Sequence, residues 1–208
     1  MAYLSSWALT YRSQPLTAIP PLEACQGEIE AEVIFDRLFR RKPAQIAGLA
    51  LYNACVDQAR QPMLYETFGV PDTVEGRFEI YTLHVFLVLN RLKQQGVQAT
   101  DTAQGLFDTY LSSLDDALRE MGVGDLSVGK KMRKLGEAFY GRVKNYDAAF
   151  KSLPDKSALE ALLHRTVYTG SSSDGLNDLT TYVLDQIECL RALEIDRFLA
   201  GQVGWKSL

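Results

Sequence analysis

Cysteine, histidine and long apolar runs are all scarce in this sequence. Its 208 residues include three cysteines, Cys25, Cys55 and Cys189, and two histidines. So sparse and odd a set argues against a disulfide or zinc framework and is typical of reduced thiols in a cytoplasmic protein. No apolar run approaches the roughly 18 residues that a membrane-spanning helix needs. The first eight residues carry no positive charge, so an export signal is not expected either.

Neither basic nor acidic residues strongly predominate in the sequence. The chain has 22 basic and 26 acidic residues, a net charge of −4, which argues against wholesale coating of nucleic acid and against a DNA partner. Its hydrophobic content of 47% and charged content of 23% are close to those of ordinary globular proteins. Composition therefore predicts a folded, mildly acidic protein and excludes disordered and collagen-like classes.

The first 30 or so residues lack helical periodicity and contain Pro15, Pro20 and Pro21. We therefore treat residues 1–32 as an irregular extension and residues 33–208 as one domain. An alternative is that translation begins at Val33, in which case residues 1–32 would be an annotation artefact. Mass spectrometry of natively expressed protein decides between the two.

Nearly every later segment has helical spacing, and no convincing alternating strand is found. The pattern predicts an all-α fold, a single compact domain of six or seven helices. The predicted helices cover residues 44–60, 72–92, 101–121, 127–150, 157–168 and 176–199. Two starts carry the spacing of a capping box, Asp72 with Glu75 and Ser157 with Glu160, and Ser127 is a third expected cap. The helix from Asp72 is apolar nearly all round, so it should be central.

Residues that could carry chemistry are few. His84 lies within the central helix and is expected to be a buried histidine bonded to a neighbour; a haem or metal ligand is the alternative. His164 should be exposed. No haem-attachment, zinc or phosphate-loop motif is present. We therefore expect no cofactor, no metal site and no catalysis, although an enzyme of haem or quinone handling stays a third hypothesis.

Two surfaces are candidates for binding. Residues 127–151 hold seven basic and two acidic side chains, a net +5 against −9 for the rest of the chain. Helical spacing predicts that five of them form a basic face for RNA phosphates or anionic lipid, with a merely solvated face as the alternative: Lys130, Arg133, Lys134, Lys144 and Lys151. A second segment interleaves cations with apolar residues, as in a membrane-surface helix: Phe35, Arg37, Leu38, Phe39, Arg40, Arg41 and Lys42. Its alternative is a first helix packed on the domain.

Two motifs have a specificity that periodicity does not explain. One is FGVPDTVEGRFE at residues 68–79, and the other is LREMGVGDL at residues 118–126, followed by AFYGR at residues 138–142. Together they resemble the ubiquinol–cytochrome c chaperone family, with similarity from about residue 34 to residue 168.

The resemblance implies an all-helical, non-enzymatic assembly chaperone that supports maturation of ubiquinol–cytochrome c reductase, respiratory complex III. Mitochondrial members bind newly made cytochrome b and associate with ribosomes near the tunnel exit. No transit peptide is evident, so the resemblance points to a bacterial, cytoplasmic member, with peripheral attachment to the inner membrane left open. The alternative is a general membrane-surface adaptor or regulatory binding protein.

Four residues are candidates for client binding: Arg77, Glu79, Arg91 and Tyr140. The three charged ones flank or interrupt the central helix, where they should either pair or line a groove. Tyr140 supplies aromatic surface for an apolar client, and an apolar groove near the central helix is the expected place for a client helix.

Overall fold

The structure, a computed structural model, describes residues 43–207. These residues contain eight helices and no strand, which confirms the all-α prediction. The helices are α1 (Pro43–Ala59), α2 (Pro62–Glu66), α3 (Val74–Leu92), α4 (Val97–Glu120), α5 (Asp125–Lys151), α6 (Ser157–Thr166), α7 (Leu176–Ala192) and α8 (Ile195–Leu199). The predicted extension of residues 1–32 and the segment Phe35 to Lys42 lie outside the described residues.

Helix α3 is the centre of the fold, as its apolar circumference predicts. Eleven of its residues are buried, and it packs against α1, α4 and α7. Because its neighbours cover it on several sides, only its ends leave room for charged side chains at the surface. Of the eight helices of residues 43–207, none combines the length and the apolar character needed to cross a membrane.

Helices α1 and α4 approach each other closely at two glycines. A Cβ atom built on Gly48 would lie 2.4 Å from the carbonyl carbon of Gly105, and one built on Gly105 would lie 2.6 Å from the carbonyl oxygen of Ala44. Such distances leave no room for a side chain, so glycine at both positions lets the two backbones touch. Farther along the same pair, the hydroxyls of Tyr52 and Ser113 form a hydrogen bond. The two helices therefore run in the same direction.

The C-terminal residues return to the core. The indole Nε1 of Trp205 donates to the carbonyl oxygen of Ala54 at 3.1 Å. Gln186 makes two bonds to the backbone of Lys206, accepting from its N–H at 2.8 Å and donating to its carbonyl oxygen at 3.0 Å. These bonds fasten the tail to α1 and α7.

Several predicted helix ends are wrong by a few residues. Helix α3 is capped by Thr73, whose Oγ1 accepts from Gly76 N–H at 3.1 Å, so Asp72 and Glu75 do not form a capping box. Helix α5 starts at Asp125, two residues before the expected cap Ser127. Gly96 caps α4, which starts at Val97 instead of Asp101.

Two further corrections concern the later helices. Ser157 is the first residue of α6 and not its cap; its N–H donates to the Asp155 carboxylate at 3.0 Å, a bond that lowers the pKa of Asp155. The predicted last helix of residues 176–199 is two helices, because Leu193 and Glu194 adopt extended conformations. The short helix α2 has too few residues to show a helical period and was not predicted.

Candidate functional site

Glu79 of the central helix is buried and forms an ion pair with Arg142 of α5. Arg142 Nε donates to one carboxylate oxygen at 2.9 Å and a terminal guanidinium nitrogen donates to the other at 2.5 Å. The carboxylate raises the pKa of the Arg142 guanidinium through these bonds. Both charges are satisfied by each other, so Glu79 joins α3 to α5 and offers no free charge to a client.

Arg91, near the other end of α3, is bound to the end of α7. Its guanidinium donates to the carbonyl oxygens of Leu190 at 2.9 Å and Leu193 at 2.8 Å. The last carbonyls of a helix lack partners within it, and a cation there is favourable. The guanidinium also lies 5.5 Å from the ring centroid of Phe198 in α8. Arg91 therefore holds three helices together.

Arg77 is exposed and pairs with Asp72, which precedes the cap of α3, at 2.5 Å. The hydrogen bond from Arg77 lowers the pKa of the Asp72 carboxyl. The guanidinium carbon also lies 5.5 Å from the ring centroid of Tyr65. Of the three charged candidates on α3, Arg77 is the most accessible from solvent.

The four client-binding candidates do not form one cluster. Arg77 and Arg91 are fourteen residues apart on one helix, which separates their Cα atoms by about 21 Å. Tyr140 belongs to α5 and is 54% exposed, with its ring centroid 6.2 Å from that of Phe107. Its neighbour Phe139 is buried in the core. The Tyr140 ring therefore packs near Phe107 on one side and is open to solvent on the other.

The five predicted basic residues of α5, Lys130, Arg133, Lys134, Lys144 and Lys151, are all exposed. Arg133 approaches Glu137 at 3.9 Å, and within residues 43–207 the other four make no ion pair. Tyr140 and the fully exposed Leu126 each precede a lysine of this set by four residues, so they border the same face. We call these five cations with Leu126 and Tyr140 the α5 outer face.

His84 is fully buried, and both its ring nitrogens are occupied, as expected for a core histidine. A carbonyl can only accept, so Nδ1, 2.8 Å from the Ile80 oxygen, carries the proton. Nε2 then accepts from the Tyr182 hydroxyl at 2.6 Å, and Gln58 donates to that hydroxyl at 2.9 Å. Burial lowers the pKa of His84 to about 4. No ring nitrogen is left for a metal or haem iron. His164 is exposed, as predicted.

Within residues 43–207, two surface clefts lie next to the helices described above. One, of about 410 Å³, lies between the C-terminal half of α3 and α7, with Leu87, Ile187 and Leu190 beneath the cations Arg91, Lys93 and Arg191. The other, of about 760 Å³, lies between α1 and α4 and is lined mostly by hydroxyl, amide and carboxylate groups. Neither is the apolar groove expected along the central helix. Within residues 43–207, no three His, Cys, Asp or Glu side chains are placed to hold a metal ion.

Sequence reasoning did not identify the partners of these groups. A buried carboxylate needs a cation, and Arg142 ends the AFYGR motif, but 22 basic residues compete for that role. Tyr182, which bonds to His84, lies 98 residues from it in the chain. Gln58, which bonds to Tyr182, lies 124 residues from that tyrosine. The cleft between α1 and α4 has no sequence motif, because residues of two helices that are far apart in the chain line it together.

Known proteins resemble this chain in sequence and in structure. A family profile described as ubiquinol-cytochrome C chaperone matches residues 66–205. The frog (Xenopus laevis) ubiquinol-cytochrome-c reductase complex assembly factor 1 is 29% identical over 167 residues, which cover 79% of this chain and 82% of the frog protein. The human protein of that name is 30% identical over 79% of this chain but only 55% of its own length.

A solved structure shares the fold. The crystal structure of the Cbp3 homolog from Brucella abortus superposes with a TM-score of 0.73 at 35% sequence identity, covering 85% of this chain and 97% of that one. The profile match spans more than half of the chain, and the solved fold agrees with it. The chain belongs to the ubiquinol–cytochrome c chaperone family, a family of complex III assembly factors.

Proposed function

We propose that this protein is a non-enzymatic chaperone that binds newly made cytochrome b and supports its assembly into ubiquinol–cytochrome c reductase. Relatives over most of the chain are named as assembly factors of that complex, a role that requires binding to its subunits. Cytochrome b is the client because the family resemblance implies it. An apolar, membrane-bound subunit needs a holding protein while its partners are absent.

The observation that supports this most directly is the α5 outer face. It combines five exposed cations with an exposed tyrosine and an exposed leucine. Aromatic side chains with cations nearby suit a client whose transmembrane helices end in polar loops, because rings contact apolar surface while cations stay in water. Glu79 and Arg91 act indirectly, by fixing α5 and α7 on the central helix. Arg77 and Tyr140 are the accessible candidates.

A membrane-surface role is the second candidate, and two side chains favour it. Met121 is 57% exposed and Leu126 is fully exposed, on either side of the turn between α4 and α5. Lys130, Arg133 and Lys134 follow within the first turns of α5. Apolar side chains with cations behind them are typical of proteins that lie on anionic lipid. We therefore propose that the protein works at the cytoplasmic surface of the inner membrane, where ribosomes would deliver cytochrome b.

Photo-crosslinking tests the client contact. A photo-reactive phenylalanine analogue at Tyr140 should crosslink to cytochrome b while reductase is being made. The same analogue at Glu188, exposed on α7, is the matched control and should not. Crosslinks from both positions, or from neither, would argue against a client surface on α5. Normal reductase levels in a strain that lacks this protein would contradict the chaperone function itself.

A further inference from the structure

Residues 202–207, the tail segment, follow α8 without helical structure and lie along α7. The Gly204 carbonyl oxygen accepts a hydrogen bond from the Cys189 thiol at 3.4 Å, and the backbone of Lys206 is bonded to Gln186. As the segment advances by two residues, its contact on α7 moves back by three, so it runs antiparallel to that helix. The tail groove is the surface beneath this segment, formed by Ala54, His84, Asp185, Gln186 and Cys189.

A buried amide in the tail groove binds the backbone of the tail segment. Gln186 is 1% exposed, and its side chain accepts from the Lys206 N–H at 2.8 Å and donates to the Lys206 carbonyl oxygen at 3.0 Å. A glutamine amide offers both an acceptor and donors, so this pair of bonds holds the backbone of one residue whatever its side chain. Because a buried amide without partners is costly, Gln186 needs a peptide backbone in this place.

An aromatic side chain of the tail segment enters the groove beside Gln186. The indole Nε1 of Trp205 donates to the carbonyl oxygen of Ala54 on α1 at 3.1 Å. Its ring centroid lies 5.2 Å from that of His84 on α3, with the two ring planes at 83°. An aromatic ring that carries a hydrogen-bond donor at its edge fits this place, since the ring covers the histidine and the donor reaches α1.

The residue after the aromatic side chain meets negative charge. Lys206 Nζ lies 2.8 Å from a carboxylate oxygen of Asp185. The hydrogen bond to Asp185 raises the pKa of Lys206, and the charge of Glu188 acts in the same direction. Both members of the ion pair are largely exposed to water, so it contributes little to holding the segment. It does make the groove prefer a cation at this position.

The attachment of the tail segment is suited to exchange. The segment has neither helical nor strand structure, and Val203 and Trp205, its apolar side chains, are only partly buried. Gln202 and Lys206 are exposed. Segments with few buried apolar contacts open locally at a lower free energy than the core of a protein. We therefore expect the tail segment to leave the groove while the helices stay folded.

We propose that the tail groove is a docking site for a segment of a partner protein in which an aromatic residue precedes lysine or arginine. The tail segment occupies the site within the chain and has to be displaced when the partner binds. Gln186 then holds the partner's backbone, the aromatic ring covers His84, and the cation pairs with Asp185. The groove uses no residue of the α5 outer face, so this partner binds separately from the client and the inference does not depend on the client's identity.

Peptide binding to the full chain tests the proposal. The probe is a fluorescein-labelled peptide with the sequence of residues 200–207, AGQVGWKS, and fluorescence anisotropy gives Kd. In the parent protein the tail segment competes at a high effective concentration, so the probe should bind weakly. Trp205→Ala weakens the competitor and should bind the probe at least tenfold more tightly than the parent does. Tyr140→Ala is the matched control, since it removes an exposed aromatic residue of α5 and should leave Kd unchanged.

Two further variants keep the test informative if Trp205→Ala disturbs the fold. Lys206→Glu, at an exposed position, places like charges together and should tighten probe binding about threefold by loosening the tail segment. Gln186→Ala combined with Lys206→Glu should lose this gain, because the bonds to the peptide backbone are absent. Circular dichroism checks that each variant is folded.

Changes in the peptide test the chemistry of the partner. Probes with leucine in place of the tryptophan, or glutamate in place of the lysine, should bind Trp205→Ala more weakly than the original probe does. Equal binding of all three probes, or no gain in binding for either Trp205→Ala or Lys206→Glu, would overturn the proposal. Light scattering after size-exclusion chromatography tests a second copy as the occupant. A parent dimer that Trp205→Ala abolishes would show that the groove exchanges tail segments between copies, and would overturn a separate partner.

Discussion

Arg142 and Glu79 form a bidentate ion pair that joins α5 to the central helix, 63 residues away in the chain. Glu79 keeps 8% of its side-chain area exposed and Arg142 keeps 27%, so water screens the pair only in part. Removing one member leaves the other charge poorly solvated. Because α5 carries the candidate binding face, this pair fixes the position of that face on the core.

Glu79→Gln should lower the free energy of unfolding by about 2–3 kcal/mol, because the Arg142 guanidinium loses its counter-charge in a half-buried place. Urea denaturation followed by circular dichroism measures the change. Asp72→Asn is the control, since its ion pair with Arg77 is exposed on both sides and should contribute little. If the two substitutions destabilise equally, the Glu79 pair has no special structural role.

The sequence predicts the elements of this fold well and their partners poorly. Helix α3 was placed by a repeat of apolar residues, and its central position followed from apolar residues around its whole circumference. Its cap was missed by one residue because Asp72 and Thr73 are both good caps; in the structure Thr73 accepts from Gly76 N–H, and Asp72 pairs with Arg77 instead. A sequence pattern alone does not decide between two neighbouring residues that are both good caps.

For the candidate site, the sequence predicted the basic face of α5 but not the partners of Glu79 and Arg91. The basic face of α5 lies on a single helix, so helical spacing alone placed its five cations together. Glu79 and Arg91 were expected either to pair or to line a groove, and both make contacts inside the fold. Their partners come from α5 and α7, and one sequence contains no information on which distant residues meet. The cleft between α1 and α4 was missed for the same reason.

Replacing glycine by alanine should have opposite effects on stability at the contact between α1 and α4 and in the interior of α5. Gly48→Ala should destabilise the protein by about 2 kcal/mol or more, because its methyl group would overlap the Gly105 backbone. Gly136→Ala, in the interior of α5, meets no atom within 4 Å and should stabilise by about 0.5–1 kcal/mol. Thermal unfolding of both variants measures the difference. A similar response at the two sites would show that the helices do not touch at Gly48.

His84 predicts a loss of stability on acidification. Its pKa is about 4 in the folded protein because of burial, and about 6.5 in an unfolded chain. Between these values the unfolded state binds more protons than the folded state, so the free energy of unfolding falls as pH decreases from about 6.5 to 4. Between pH 7 and pH 5 the expected loss is about 2 kcal/mol.

Urea denaturation at pH 7 and pH 5 measures this loss, and His84→Gln is the variant to compare. Glutamine does not titrate in this range, so the variant should lose much less stability between the two pH values, although it is less stable at pH 7. His164→Gln is the control, because His164 is exposed and its removal should leave the pH dependence unchanged. A wild-type protein equally stable at both pH values would contradict a buried, neutral His84.

The α5 outer face predicts salt-dependent binding to a polyanionic surface. Replacing Lys130, Arg133 and Lys134 by glutamate should weaken association with anionic vesicles or ribosomes at least tenfold, since six units of charge change on one face. All three residues are exposed, so helicity by circular dichroism should be unchanged. The matched control replaces Arg165, Arg191 and Arg197, also exposed, by glutamate. Loss of vesicle binding with ribosome binding retained would identify lipid as the partner, and the reverse would identify RNA. If both triple variants bind as the parent does, the face is only solvated.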